Sequence, residues 1–170
     1  MRRSPRDPLR ALVRFGPLMF QATLGRGGIS VFKREGDGAT PRAAMAVLGG
    51  FRRGYRPGQR STALPSPVEF DRAGLRDGWC DAPDHAAYNR PVRLPFPASC
   101  ERLVREDRLY DAVLVLDWNV SRRARGLGSA IFLHVAREGY RPTEGCVALE
   151  PRDLKVLLGF IRRGDIVQVL

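Results

Sequence analysis

The sequence has almost no lysine. Only Lys33 and Lys155 occur among 29 basic residues, so the other 27 are arginines, and with 18 acidic residues they give a formal net charge of +11 over 170 residues. A chain this basic is drawn to polyanions, with nucleic acid the first to consider. Dedicated phosphate binders concentrate their charge in blocks, and such blocks are scarce here: the densest clusters, Arg52-Arg53 and Arg122-Arg123 with Arg125, are short. No nucleic-acid partner is therefore expected. Long apolar runs are also missing. No stretch approaches the ~18–20 residues that a membrane-spanning helix requires, so no transmembrane segment is expected. The start of the chain, with Arg2, Arg3, Arg6, Arg10 and Arg14, lacks the apolar core of an export signal, because Arg14, Gly16 and Pro17 interrupt Leu12 to Phe20. On these residues alone the chain reads as cytoplasmic or as a processed form.

Metal-binding residues are few. His85 and His134 are the only histidines, Cys80, Cys100 and Cys146 the only cysteines, and no C-x-x-C pair occurs. A zinc site would need nearly all five to converge, so no metal and no cofactor is expected. Three cysteines cannot all pair within one chain, which leaves at least one thiol free or paired elsewhere.

What remains is an ordinary globular composition, 44% hydrophobic and 8% aromatic, without internal repeats or low-complexity segments. It predicts a single domain over 11–170 behind a basic N-terminal extension, 1–10. Residues 11–15 and 18–24 read as a hairpin around Gly16-Pro17. An apolar run follows from Ala43 to Leu48, and 49–97 reads as a long irregular excursion whose Trp79, Tyr88 and Phe96 argue for order. Ser99 reads as the N-cap of a short helix through Arg105. Val113 to Leu116 and 129–135 read as strands. Pro151 opens a helix with Leu154, Leu157, Leu158 and Ile161 at helical spacing, and Ile166 to Leu170 forms a last strand. The class is mainly β with a few helices: a sheet sandwich or open barrel with a helical cover.

The chemistry concentrates in Ile131-Phe132-Leu133-His134 and, after eleven intervening residues, in Cys146, which lies inside Pro142-Thr143-Glu144-Gly145-Cys146-Val147-Ala148-Leu149. A histidine ending an apolar strand and a cysteine behind a glycine suit a thiolate nucleophile with an imidazole base, the imidazole lowering the thiol pKa until thiolate is common at neutral pH. Gly145 would allow close approach of a carbonyl, and backbone N–H groups around Cys146 would face a developing oxyanion. Spacing alone equally permits a structural cysteine packed as a small hydrophobe.

The segment His134, Thr143, Gly145, Cys146 resembles the catalytic signature of the L,D-transpeptidases (the YkuD-type domain). Upstream, Lys33-Arg34-Glu35-Gly36-Asp37-Gly38-Ala39-Thr40-Pro41 is similar to the family's Gly-Asp-x-x-Thr-Pro segment. Asp77-Gly78-Trp79-Cys80-Asp81, Tyr88-Asn89-Arg90-Pro91-Val92 and Leu109-Tyr110-Asp111 resemble a compact bacterial branch. The chain departs from many members in Glu144, where they carry histidine, in Val135, where they carry glycine, and in its shorter spacer. The resemblance implies a β-sandwich-like fold with Cys146 on a loop over the sheet. It also implies attack by Cys146 on a peptidoglycan stem-peptide carbonyl at an L-centre, with His134 as base oriented by a backbone carbonyl near Val135. The thioester so formed would pass to an acceptor amine, cross-linking the wall (3-3 or 1-3 type), or to water. Carbapenem-type β-lactams would then be covalent inhibitors, and the cell envelope or periplasm the place of action. Trp79, Tyr88, Asn89, Arg90 and Arg141 are candidate substrate-wall residues, the arginines because guanidinium groups fork carboxylates. Cys80 and Cys100 read as a disulfide if the protein is exported and as buried thiols otherwise. Two alternatives stay open: a cysteine carboxypeptidase or endopeptidase that trims stem peptides, and a basic polyanion-binding module with a structural Cys146.

Overall fold

A computed structural model describes residues 1–4, 7–54 and 66–170. The strands are Arg2–Ser4 (β1), Asp7–Phe15 (β2), Leu18–Thr23 (β3), Ile29–Ser30 (β4), Thr40–Pro41 (β5), Ala44–Arg53 (β6), Phe70–Ala73 (β7), Asp77–Cys80 (β8), Pro91–Arg93 (β9), Cys100–Arg102 (β10), Ala112–Leu116 (β11), Phe132–Val135 (β12), Val147–Leu149 (β13) and Ile166–Gln168 (β14). Among the described residues there is one α-helix, Pro151–Leu158 (α1). The protein is mainly β, as its sequence predicts.

The central sheet runs β1-β2-β3-β13-β12-β11-β6-β14, with β7 also on β6. Pairing is antiparallel except between β12 and β13 and between β6 and β7. Alternation along β11 and β12 divides the core in two. Leu114, Leu116 and Leu133 turn to the face that packs against Leu154, Leu157 and Leu158 of α1. Val113, Val115 and Phe132 turn to the opposite face, where Trp79, Leu103, Leu109, Tyr110 and Cys146 gather. Both faces are covered, which is why β11 reads as an unbroken apolar run. A small sheet, β10-β8-β9, carries Trp79 onto this second face. Cys146 packs with Trp79 and Phe132 where the two sheets meet.

Three readings of the sequence are corrected. The expected helix from Ser99 to Arg105 is strand β10, because its backbone pairs with Asp77–Cys80, about twenty residues upstream. The described residues of the expected basic N-terminal extension join the fold: β1 and the first half of β2 pair at the sheet edge, with Arg2 opposite Leu12. Within 49–97, strands β7, β8 and β9 occupy part of the expected irregular excursion, while 55–65 lie outside the described residues. No helix among the described residues is long and apolar enough to cross a membrane.

Candidate active site

In the parallel pair β12–β13, Leu133 stands opposite Val147 and His134 opposite Ala148. Cys146 precedes Ala148 by two residues, so its side chain falls on the face His134 occupies. Both are buried, and both line one cavity of about 310 Å³. A polar residue on this apolar face must find partners. His134 does so through Nδ1, which lies 2.7 Å from the carbonyl oxygen of Val135. That oxygen has no hydrogen to give, so Nδ1 carries the proton and Nε2 is left with a lone pair. Burial lowers the imidazole pKa from its ordinary 6.5 to about 4, with Arg105 and Arg137 nearby acting in the same direction. At neutral pH His134 is an uncharged base.

The Cys146 thiol donates to the carbonyl oxygen of Ala130 at 3.2 Å, and its sulfur accepts the N–H of Phe132 at 3.4 Å. Burial pushes the thiol up to about 12; the negative charge of Glu101 adds to the rise, while the Phe132 N–H, Lys33 and Tyr110 oppose it. This corrects the expectation of a standing thiolate. Desolvation outweighs the stabilising groups, so thiol and imidazole are both neutral in the empty site. A nucleophilic attack by this sulfur would then need proton transfer during the attack rather than before it.

The loop before Cys146 is cinched by Thr143, whose hydroxyl donates to the Cys146 carbonyl at 2.7 Å and accepts the Gly145 N–H at 3.2 Å. Gly145 takes a φ of 131°, and a Cβ there would stand 2.9 Å from the Ala39 carbonyl oxygen. Beneath it Gly25 is equally confined: a Cβ there would meet the Gly145 Cα at 2.8 Å. The Gly25 N–H is held by the buried Thr40 hydroxyl at 2.9 Å. The Gly-Asp-x-x-Thr-Pro segment thus serves as the floor of the cysteine loop. Asp37 shapes it by accepting the N–H groups of Arg34 and Ala39 and the ammonium of the buried Lys33. Gly145→Ala is expected to lower stability by about 2 kcal/mol through strain and overlap, measurable as a drop in denaturant midpoint with unchanged slope.

Of the residues singled out in the sequence, Cys146, His134, Thr143 and Arg141 line the cavity. Trp79, Tyr88, Asn89 and Arg90 do not, and three of them have evident packing or hydrogen-bonding roles instead. Trp79 packs edge-on to Phe132 at 5.3 Å between ring centroids. Asn89 is wholly buried at φ 56°. Its Oδ1 accepts the Trp79 Nε1–H at 2.9 Å and the Ala130 N–H at 3.1 Å, and its Nδ2 donates to the Trp118 carbonyl at 3.1 Å. Asn89 thereby fixes the Ala130 peptide unit whose neighbour holds the thiol, and Ala130 itself sits at φ 52°. Asn89→Ala would orphan two buried donors and should cost about 3 kcal/mol, seen as a lower melting temperature. The Tyr88 hydroxyl donates to Glu35, a residue of the cavity wall.

Sequence reasoning missed the charged wall. Lys33, Glu35, Asp81, Glu101, Arg105 and Arg137 all reach the cavity. Tyr110 stands among them, its ring edge-on to His134 at 5.1 Å and its hydroxyl donating to Glu101 at 2.6 Å. Burial raises the Glu101 carboxyl above the ordinary carboxylate value, and raises the Tyr110 phenol as well. Arg105 lies over the Tyr110 ring and pairs with Asp107. Lys33, Glu35, Asp81 and Tyr110 fall inside segments that carry the family resemblance, whereas Glu101, Arg105 and Arg137 had no sequence signal.

A neutral thiol, a neutral imidazole with an unprotonated Nε2 and a wall of both charges are groups that acyl-transfer chemistry can use. No curated protein and no solved structure matches the chain. The family model for the L,D-transpeptidase catalytic domain (YkuD) matches residues 11–169. With nearly its whole length covered and His134 and Cys146 lining one cavity, the chain belongs to the L,D-transpeptidase catalytic domain family.

Proposed function

We propose that the protein is a peptidoglycan L,D-transpeptidase with the Cys146 sulfur as nucleophile and His134 as general base. One observation carries this reading: the two side chains share a face and a cavity, and His134 is held with Nε2 unprotonated. In the proposed reaction Nε2 takes the thiol proton as the sulfur attacks a stem-peptide carbonyl at an L-centre. The tetrahedral intermediate then expels the departing amine, which receives that proton from His134, and a thioester remains on Cys146. An acceptor amine attacks the thioester, loses its proton to Nε2, and restores the thiol. A cross-link of 3-3 or 1-3 type results.

The charged wall supports this substrate class. Stem peptides carry free carboxylates and ammonium groups, and Arg105, Arg137 and Arg141 stand in one cavity with Glu35, Asp81 and Glu101. The net charge of +11 suits anionic wall polymers without calling for nucleic acid. The cell envelope is the proposed place of action, and carbapenem-type β-lactams the proposed covalent inhibitors. Incubation of the protein with purified muropeptides, followed by mass spectrometry, tests the reading. Cross-linked dimers support it. Shortened monomers alone would assign the protein to stem-peptide hydrolysis instead.

A further inference from the structure

Strands β8 and β10 bring two cysteines together. Cys80 stands directly opposite Cys100, between the pairs Trp79–Glu101 and Asp81–Ser99. The Asp81 N–H donates to the Ser99 carbonyl and the Leu103 N–H to the Asp77 carbonyl. Hydrogen-bonded pairs in an antiparallel ladder alternate, so the Cys80–Cys100 pair is one of the non-hydrogen-bonded pairs. In such a pair the side chains project from the same face, and the Cα atoms lie about 4.5 Å apart, within the ~4.4–6.8 Å that a disulfide spans. Trp79 faces the central sheet, so by the strand's alternation Cys80 and Cys100 turn to the opposite face, behind the cavity. Cys80 is fully buried and Cys100 partly exposed, and both are thiols here. Cys146 is engaged by Ala130 and Phe132 on the far side of Trp79 and has no part in this pairing.

We propose that Cys80 and Cys100 form a redox-modifiable pair, which an oxidising disulfide closes into an intrachain bond stapling β8 to β10. The immediate neighbours give the bond its consequence. Asp81 follows Cys80 and Glu101 follows Cys100, and both line the catalytic cavity. The staple therefore fixes two carboxylate-bearing segments of the wall from behind, without entering the site. With oxidised glutathione the steps balance as follows. The accessible Cys100, as thiolate, attacks one glutathione sulfur, forming a mixed disulfide and expelling a glutathione thiolate. The Cys80 sulfur then attacks the Cys100 sulfur and expels the second. Two electrons pass to glutathione, and the two cysteine protons end on the two thiols released. Burial raises the Cys80 thiol pKa and so opposes its thiolate; what makes Cys80 the second attacker is its place directly opposite Cys100, which renders the step intramolecular.

This assignment stands apart from the transpeptidase reading and is tested without it. The reduced full-length chain is incubated with oxidised glutathione, unfolded, alkylated and mapped by mass spectrometry. The expected product has lost two hydrogens, joins the Cys80 and Cys100 peptides, and carries the alkyl group on Cys146 alone. Its melting temperature should rise by about 5–10 °C, as expected for closing a loop of this length, and fall back on reduction. Cys100→Ser and Cys80→Ser should each abolish both the link and the rise. Glutathione adducts without an internal link, a link through Cys146, or a linked chain with no rise in melting temperature would overturn the proposal. The wild-type peptide map decides even where a serine variant does not fold.

Discussion

Cross-linking should fall by at least about 10⁴-fold when Cys146 is replaced by alanine, with the fold intact. Removing the nucleophile of a covalent mechanism removes the intermediate itself, and such losses are among the largest that single substitutions produce. Two of the three cavity hydroxyls offer no substitute. Thr143 donates to the Cys146 carbonyl and Tyr110 to Glu101, each already committed. The thiol is small and its bonds to Ala130 and Phe132 are weak sulfur contacts, so the expected stability change is about 1 kcal/mol. The measurement is the rate of dimer formation from muropeptides, alongside a melting curve. Full activity in Cys146→Ala would leave the cysteine a structural role only. Salt-sensitive polyanion binding without thiol dependence would then become the better account of the charge.

His134→Gln is the second large effect, expected at about 10²–10⁴-fold at neutral pH, with a changed pH profile as its signature. In the wild-type site the base works when unprotonated, and burial puts that boundary at about 4. kcat/KM should therefore climb as pH rises through about 4 and stay level across the neutral range. Glutamine cannot take the proton, so the variant must rely on preformed thiolate. With the thiol at about 12, that fraction is about 10⁻⁵ at pH 7 and grows tenfold with each pH unit. The variant's activity should therefore rise with pH where the wild type stays level, narrowing the gap between them. A thiolate–imidazolium pair would instead give the wild-type enzyme a bell centred near neutrality. Such a bell would contradict the neutral pair described for the site.

The sequence makes some parts of this site plain and conceals others for physical reasons. His134 and Cys146 are legible because a titratable residue closing a buried strand and a thiol behind a glycine are chemically conspicuous. Helix α1 is legible because Leu154, Leu157 and Leu158 recur at the period of its buried face. The hairpin β2–β3 is legible through Gly16-Pro17 and the apolar residues on either side. Strand β10 is not, since Ser99 offers a helix cap locally while the pairing partner lies in a distant segment. Glu101, misplaced with it, was lost from the site. Asn89 reads as a substrate contact among polar neighbours, yet its bonds to Trp79, Ala130 and Trp118 exist only after three separate segments have packed. The pKa values followed the same rule. Proximity of thiol and imidazole predicts a thiolate, but the depth of burial that reverses it belongs to the tertiary structure.

The most direct test of the central claim is intact-mass spectrometry of the protein quenched during turnover of a stem-peptide donor. A thioester adduct with the mass of the donor acyl group is predicted, mapped to Cys146 and discharged on adding an acceptor amine as the cross-linked product appears. Product forming with no adduct on Cys146, or the same adduct on another residue of Cys146→Ala, would contradict the account.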